Sequence, residues 1–440
     1  MKAFQLSSYP GLTPLALFAS LRKAYGAPAI LLESAVQDET NRISFVACAP
    51  VQQVEVSDDI GYCLRETLAK CHSFRHNPYF SGGLMGGISF ESVFDFFPKY
   101  SPKHEENIPR TLLYEFGLVC VFDHVQNLIT ILQHPKNQCE DIEAILRAIT
   151  PISPSPLNTQ IPGGKDAPDP TFLESVKTAR DAIYAGEVFQ LVLSHVFEED
   201  IPTGRELDLY SALKQLEPTT HLILADYGQH GIYTCASPEI IGKKVGSHLL
   251  VSPIAGTRRR KLTEAENKKT EAELLSDPKE NAEHDMLVDL GRNDLGRISI
   301  PKTIQVTKHK YLQAYAHVMH LLSDIEAEID PQYDAVDFLK SIFPAGTLSG
   351  APKLRAINLI QSLENSSRGF YGGATGMIAT NGDLQMAINI RGVHLQNGRA
   401  KIQVGAGIVK DSVPEYEWKE LQNKSQSLRR VLASLPPSKQ

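Results

Sequence analysis

The sequence has few cysteines, no long hydrophobic run and no excess of positive charge. Its 440 residues include six cysteines, and the absence of a C-x-x-C pair argues against a disulfide framework and a zinc knuckle. No apolar run approaches the roughly 18 residues that a membrane-spanning helix needs, and the amphipathic N-terminal stretch is unlike a signal peptide. The formal net charge of -7 gives no electrostatic footprint for nucleic acid. We therefore predict a cytoplasmic protein with no membrane or nucleic-acid partner.

The length of the chain predicts more than one folded unit, because single cores rarely grow beyond about 250–300 residues. Residues 151–170 are rich in proline, glycine and serine and have no apolar period, which is typical of a linker. Strand-like runs at 29–34 and 42–49 precede this segment. We predict a smaller N-terminal α+β domain at 1–150 and a main domain at 171–435.

Local signals predict long helices and antiparallel strands in the main domain. Asp169 and Pro170 offer an N-cap and a proline at the first helical position, ahead of apolar residues at helical spacing. Residues 188–197 are rich in β-branched and aromatic side chains, which favour a strand. Asn397 and Gly398 separate two strand-like runs and predict a hairpin. The main domain is therefore predicted to be α+β.

The stretch ENAEHDMLVDLGRND, residues 280–294, is predicted to be a helix with carboxylates on its apolar side. At about 100° per residue, Glu280 and Glu283 fall on the same side as Leu287 and Leu290. Most glutamates on helices are exposed or ion-paired, and that is the simpler interpretation. Buried carboxylates, in contrast, need a cation or a proton.

A second helix, predicted at residues 415–432, repeats this pattern. The same arithmetic places Glu417, Glu420 and Lys424 near the apolar side, and we expect the helix to bury or half-bury both carboxylates. Two such pairs favour a hard divalent cation. Magnesium usually takes one or two direct carboxylates and completes its shell with waters or ligand oxygens. We therefore predict that some of the four glutamates bind Mg2+ directly, others through water, and that the ligand is an anion.

Two further side chains are candidates for chemistry. His320, three residues after His317, is a candidate general acid or base, and the alternative is a satisfied core histidine. Arg391 is a candidate clamp for a carboxylate, and the alternative is a surface ion pair. Glycine-dense segments bring backbone N–H groups close to a carboxylate, although glycines also serve turns and bulges. These segments are residues 343–353, 370–376 and 404–409.

Several of these segments resemble those of the chorismate-utilising enzymes, and within that family the large subunits of anthranilate synthases. The resemblance is dense from residue 170 to 435 and thinner in the LLES and RISF segments of the N-terminal region. The segments that carry it are CASPE (235–239), PIAGTR (253–258), AEHDMLVDLGRNDLGRI (282–298), HVMH (317–320), FPAGTLSGAPK (343–353), FYGGATG (370–376) and VGAGIVKDSVPE (404–415). The resemblance implies an α+β fold of two stacked antiparallel sheets flanked by helices.

The resemblance also implies a role for each candidate residue. Four glutamates would form the Mg2+ site that holds the ring carboxylate of chorismate: Glu280, Glu283, Glu417 and Glu420. The implied catalytic residues are His320 and Glu239, which would transfer protons, and Thr347. The residues implied in binding chorismate and its enolpyruvyl carboxylate are Gln190, Gly256, Thr257, Tyr371, Arg391, Gly405, Ala406, Gly407 and Lys424.

The implied reaction adds ammonia to chorismate and then eliminates pyruvate, giving anthranilate for tryptophan biosynthesis. Gln190 stands where isochorismate-forming relatives have a lysine that activates water. Ala255 stands where many aminodeoxychorismate synthases have a lysine, and Thr347 lies in PAGT where many of them have PGGS. An aminodeoxychorismate synthase of the folate pathway is the alternative, and so is a catalytically silent sensor that binds chorismate or an amino acid.

Two other features of the sequence bear on the source of ammonia and on the regulation of the enzyme. The sequence shows no nucleophilic cysteine in a G-x-C-x-G setting, so a separate glutamine amidotransferase subunit is expected in a hetero-oligomer. Glu33 and Ser34 match the LLES segment of tryptophan-inhibited relatives, but EPTTHL (217–222) replaces their N-P-S-P-Y-M stretch. We predict that Glu33 and Ser34 are a remnant of an inhibitor site and that tryptophan inhibits weakly or not at all.

Overall fold

A computed structural model describes residues 1–35, 42–56, 59–74, 77–105, 108–137, 142–152, 166–315 and 318–435. In these ranges the chain forms 19 strands and 11 helices. The strands are β1 (Lys2–Gln5), β2 (Ala29–Glu33), β3 (Ile43–Gln53), β4 (Gly83–Ile88), β5 (Thr111–Asp123), β6 (Leu128–Gln133), β7 (Gln190–Asp200), β8 (His221–Asp226), β9 (Ile232–Ser237), β10 (Ile240–Val245), β11 (His248–Val251), β12 (Ile254–Arg259), β13 (Gln305–Ala314), β14 (Val318–Glu328), β15 (Gly350–Ala351), β16 (Ala374–Ala379), β17 (Leu384–Ile388), β18 (Gly392–Gln396) and β19 (Arg399–Ile408). The helices are α1 (Pro14–Tyr25), α2 (Ile60–Lys70), α3 (Val93–Phe96), α4 (Ile142–Ala148), α5 (Pro170–Tyr184), α6 (Glu206–Leu216), α7 (Glu264–Ser276), α8 (Pro278–Gly296), α9 (Ala335–Ile342), α10 (Lys353–Leu363) and α11 (Pro414–Ala433).

Local capping and turn residues set the elements that the sequence predicts. The Asp169 side chain accepts a hydrogen bond from the Thr171 amide at 2.8 Å, so α5 begins at the proline as expected. Asp277 caps α8 in the same way. Asn397 and Gly398 have positive φ angles of 53° and 76°, and they join β18 to β19 in the predicted hairpin.

The strands form two antiparallel sheets that share the long strand β5. The first sheet has the order β1-β6-β5-β3-β2-β8-β9-β18-β19-β7-β15. The second has the order β5-β4-β16-β17-β10-β11-β14, and β14 also pairs with β12 and β13. The two sheets diverge at Tyr114, which is in register with both Gln53 of β3 and Met85 of β4.

Three hydrophobic cores show that the two sheets are stacked between layers of helices. The central core lies between the sheets and includes Ile30, Phe45 and Tyr233 of the first sheet and Met85 and Ala387 of the second. An outer core packs α1, α5, α6, α10 and α11 on the first sheet. The other outer core packs α2, α3, α8 and α9 on the second sheet. The predicted fold, two stacked antiparallel sheets flanked by helices, is therefore confirmed.

Strand pairing joins the parts of the chain that precede and follow the predicted linker. β2 pairs with β8, and β4 pairs with β16, so both sheets contain strands from each part. Residues 153–165 of that linker lie outside the described residues, as does His317. The division into two domains stays a prediction.

Candidate active site

His320 lies on β14, buried and held at both ring nitrogens. Its Nδ1 lies 3.0 Å from the Thr257 hydroxyl and 3.2 Å from the Gly256 carbonyl oxygen, both on the adjacent strand β12. Its Nε2 lies 3.1 Å from Nη2 of Arg391. Because a guanidinium can only donate, Nε2 accepts this hydrogen bond and Nδ1 carries the ring proton. The imidazole is therefore neutral and fixed in one tautomer.

Glu239 lies just after β9, where its carboxyl group is buried close to the same arginine. Its Oε1 accepts a hydrogen bond from the Thr347 hydroxyl at 3.0 Å. Thr347 lies in the short 3-10 turn Gly346–Leu348, between α9 and β15. The structure thus brings the three candidate catalytic residues, His320, Glu239 and Thr347, together around Arg391.

The buried environment shifts the pKa values of the two candidate proton-transfer groups in opposite directions. Burial raises the pKa of Glu239 to about 8, although the Thr347 hydrogen bond and the charge of Arg391 lower it. Burial lowers the pKa of His320 to about 4, and the charge of Arg391 lowers it further. Near neutral pH, Glu239 therefore carries a proton while the His320 ring is neutral. An acid and a base whose pKa values are driven apart are typical of a site for proton transfer.

A second wall of the site is built from β7, β19 and the residues that touch them. Gly405, Ala406 and Gly407 of β19 are in register with β7. A Cβ atom on Gly405 would overlap the Tyr371 hydroxyl, and one on Gly407 would lie 2.7 Å from Nε2 of Gln190. A side chain at either glycine would therefore displace a neighbouring side chain of this wall, Tyr371 or Gln190.

Polar groups on this wall remain available to a ligand. Nζ of Lys424, on α11, donates to the Gly405 carbonyl oxygen at 2.8 Å. Oε1 of Gln190 is buried and, among the described residues, has no hydrogen-bond partner. Because buried polar atoms are normally paired, this oxygen is a candidate acceptor for a donor on a ligand.

The glutamates of α8 lie near strand β12, whose residues Gly256 and Thr257 contact His320 of β14. Oε1 of Glu280 is 2.8 Å from Nη1 of Arg258, and Asp277 shares this arginine at 2.8 Å. Gly256 lies at a bulge with φ 64°, where a Cβ atom would stand 3.1 Å from Oε2 of Glu280. Glu283, one turn further along α8, is half-buried as the sequence predicted.

The expectation for α11 was only partly right. Glu417 is half-buried, but the Glu420 side chain is 47% exposed and pairs with Lys424 at 2.7 Å. The buried side of α11 is defined by residues such as Trp418 and Leu421. At about 100° per residue that side is centred about 100° from Glu420, which therefore lies at its margin and is partly exposed to solvent.

The two glutamate pairs act on each other electrostatically across the site. Burial raises the pKa of Glu283 and of Glu417, and the charge of Glu420 raises both further. The four carboxylates supply the oxygen donors that a hard divalent cation such as Mg2+ prefers. In the described ranges, however, no three carboxylate, imidazole or thiol groups are close enough together to hold a metal. The donor set fits Mg2+ in its chemistry, and the ligand assignment stays a prediction.

The structure also reveals a buried arginine behind the second wall that the sequence analysis did not identify. Arg368 pairs with Glu364 at 2.6 Å and donates to the carbonyl oxygens of Leu348 and Val192 at 2.6 and 2.8 Å. Its guanidinium also lies over the ring of Tyr371, 5.6 Å from the ring centroid. Arg368 therefore ties the Thr347 turn, β7 and Tyr371 together.

Glu33 and Ser34 lie apart from this site, in a cavity of about 770 Å3 between the two sheets. Thr220 and His221, from the EPTTHL stretch, line the same cavity, so the two segments compared in the sequence do face one space. The Glu33 carboxylate accepts hydrogen bonds from the Tyr210 hydroxyl at 2.6 Å and from Nζ of Lys214 at 2.7 Å. Its charge is thus already compensated within the protein.

Comparison with known protein families agrees with this fold. The family model described as chorismate binding enzyme matches residues 27–430. The chain therefore belongs to the chorismate binding enzyme family, as its motifs suggested.

Two individual relatives and one crystal structure show which named members of the family this chain is similar to. A protein of Acinetobacter calcoaceticus named anthranilate synthase component 1 is 36% identical over 377 residues, covering 80% of this chain and 74% of the relative. A protein of the same name from Methanothermobacter thermautotrophicus is 37% identical over 435 residues, covering 94% and 91%. The crystal structure of anthranilate synthase component I from Streptococcus pneumoniae superposes with a TM-score of 0.76 at 33% identity, covering 90% of this chain and 93% of that one.

In the described part of the chain, no helix combines the length and apolar character that crossing a membrane requires.

Proposed function

We propose that this protein is the large subunit of an anthranilate synthase, which converts chorismate and ammonia to anthranilate and pyruvate for tryptophan biosynthesis. The observation that carries the proposal is the pairing of a protonated, buried Glu239 with a neutral His320 around Arg391. The names of the relatives at 36–37% identity support it.

The residues of the site suit the proton transfers that this reaction needs. As ammonia bonds to the ring, Glu239 gives its proton to the ring hydroxyl, which leaves as water, and the new ammonium group loses a proton to become the amine. The neutral His320 then takes a ring proton as the C–O bond to the enolpyruvyl group breaks, and the enolate that leaves takes up a proton to become pyruvate. Thr347 holds the acid in place at 3.0 Å, and Arg391 is placed to hold a substrate carboxylate next to both groups.

The acidic helices would hold Mg2+ and, through it, the ring carboxylate of chorismate. Glu280, Glu283, Glu417 and Glu420 would supply its protein ligands, some directly and others through water. When bound, Mg2+ would act as a Lewis acid and as a template for the substrate. Arg258 and Lys424 now compensate one glutamate on each helix, so binding of the cation would compete with these ion pairs.

Gln190 supports amination over the addition of water, because its side chain cannot act as a general base toward water, whereas ammonia is itself a nucleophile and needs no such base. Ala255 stands where many aminodeoxychorismate synthases have a lysine, and it supports direct attack by ammonia. We further propose that a separate glutamine amidotransferase subunit supplies the ammonia and that the working enzyme is a hetero-oligomer.

A direct test is to incubate the purified chain with chorismate, Mg2+ and ammonium at mildly alkaline pH. Anthranilate fluorescence and pyruvate are followed in parallel, with and without a chelator. Both products should appear together and disappear with the chelator. Consumption of chorismate without pyruvate would favour aminodeoxychorismate synthesis, and absence of consumption would favour a binding protein. Glu239→Gln is the matched variant, because it preserves shape and removes the acid.

A further inference from the structure

The loop that carries Thr347 is closed at its base by one buried ammonium group. Nζ of Lys353 donates to the Ile342 carbonyl oxygen at 3.0 Å and to Oδ2 of Asp294 at 2.7 Å. Ile342 is the last residue of α9 and Lys353 is the first of α10, so this group joins the two ends of the loop at residues 343–352. We call Asp294 and Lys353 the loop clamp.

Asp294 is the member of the loop clamp that lies close to the candidate acid, Glu239. It lies near the end of α8, and its side chain lines a cavity of about 50 Å3 together with Glu239 and Thr347. Oδ1 of Asp294 is buried and has no hydrogen-bond partner among the described residues. A cavity of this size has room for about one or two waters, and Asp294, Glu239 and Thr347 supply polar groups in an otherwise mostly apolar lining. The loop also packs tightly on α8, since a Cβ atom on Gly346 would overlap Leu290.

We propose that Asp294 and Lys353 are positioning residues that hold the Thr347 hydroxyl against the Glu239 carboxyl. The ammonium fixes both ends of the loop, α8 supports its middle, and the turn then presents Thr347 to Glu239 at 3.0 Å. Both members of the clamp are buried, with relative exposures of 4% and 5%. Their ion pair is therefore weakly screened and geometrically fixed.

The loop clamp should set the pH at which Glu239 loses its proton. The Thr347 hydrogen bond lowers the pKa of Glu239, against the larger effect of burial. The other charged or titratable groups that face Glu239 are Arg391 and Tyr315, whose own pKa is raised partly by this carboxylate, and Asp294 lines the same cavity. Replacing both members of the clamp leaves Arg391 and Tyr315 in place, removes one charge of each sign and weakens the Thr347 hydrogen bond, so the pKa of Glu239 should rise.

The test uses the full chain and measures the protonation of Glu239 by infrared difference titration. The carboxylic acid band of Glu239 is assigned by its loss in Glu239→Gln. The double variant Asp294→Asn with Lys353→Gln neutralises both members of the clamp, so that no unpaired charge is left buried. We expect its midpoint to rise by about one pH unit, the size expected for loss of one hydrogen bond to a carboxylate.

A double-mutant cycle separates positioning from general loosening of the structure. Thr347→Val alone should raise the midpoint by a similar amount, and adding it to the clamp variant should give no further shift. Additive shifts, or an unchanged midpoint in a folded clamp variant, would overturn the proposal. Asp289→Asn with Arg292→Gln is the matched control, because it neutralises an exposed ion pair on the same helix. It should leave the midpoint unchanged.

Two further measurements keep the outcome decisive. If the double variant does not fold, Lys353→Arg replaces it, since it keeps the charge but changes the hydrogen-bond geometry. A folded Lys353→Arg chain with an unchanged midpoint would overturn the proposal. The role in catalysis rests on the proposed function, and kcat with chorismate should fall more than KM rises. If the unaltered chain does not consume chorismate, the proposed function fails, while the infrared titration still decides the positioning role.

Discussion

Nη2 of Arg391 lies 3.1 Å from Nε2 of His320, so one guanidinium fixes the protonation of the imidazole. The same cation lowers the pKa of Glu239, where burial nevertheless has the larger effect. A half-buried arginine that a substrate carboxylate could engage is therefore linked to both the candidate base and the candidate acid. Binding of an anion at Arg391 would release Nε2 of His320 to accept a proton.

The pH dependence of turnover should follow Glu239 on its alkaline side. Because the pKa of Glu239 is raised to about 8, kcat/KM for chorismate should fall as pH rises through that value and the acid loses its proton. Glu239→Gln should lower kcat by about 100- to 10,000-fold and abolish this limb in what activity remains. A pH–rate profile of both chains provides the check. An unchanged alkaline limb in Glu239→Gln would assign it to another group.

Replacing Glu417 should weaken metal binding specifically. Glu417→Gln removes one carboxylate charge from a half-buried position, and we expect the Mg2+ concentration for half-maximal activity to rise about 10–100-fold. Binding of Mn2+, measured by electron paramagnetic resonance, should weaken in parallel. Glu415→Gln is the control, since Glu415 is exposed on the other side of α11. Equal metal affinities in the two variants would remove Glu417 from the metal site.

Tryptophan should inhibit weakly or not at all. The Glu33 carboxylate that could receive the amino group of an amino acid already accepts from Tyr210 and Lys214 at 2.6 and 2.7 Å. Anthranilate formation measured against increasing tryptophan should therefore stay nearly constant through the micromolar range, as it should with phenylalanine as the matched ligand. Strong inhibition by micromolar tryptophan would refute this expectation.

The buried arginine behind the second wall should be important for stability. Arg368→Met leaves Glu364 as an uncompensated buried charge, which should lower the free energy of unfolding by about 3–5 kcal/mol. Arg355→Met removes an arginine whose ion pair with Glu187 is exposed, and the cost there should be below about 1 kcal/mol. Urea denaturation followed by circular dichroism compares the two. Similar losses in both variants would mean that Arg368 is not a structural hub.

Local features of the fold were predictable because their signals lie close together in the sequence. Asp169 caps the helix that it was expected to start, and Asn397-Gly398 forms the expected turn. The sharing of β5 by two sheets has no local signal, because it depends on which distant strands pair. Sequence periodicity alone therefore predicts which residues form a helix or strand better than it predicts which strands pair with one another.

In the candidate site, too, features with a local sequence signal were predictable, and features that depend on distant residues were not. The carboxylates of α8 were expected near the apolar side, and they lie there half-buried. The prediction that Glu420 is buried or half-buried was wrong because Trp418 and Leu421 define the buried side of α11. The loop clamp joins residues 59 positions apart, and helical periodicity does not relate side chains at such a separation.

Because the two parts of the chain pair their strands in both sheets, residues 171–435 should not fold as an independent domain. Expression of residues 171–435 alone would leave β8 without β2 and β16 without β4, opening unpaired edges in the interior of both sheets. Exposed edges of this kind recruit other strands, so such a fragment should aggregate rather than fold. Any transfer of this site to another protein would have to carry the N-terminal strands with it.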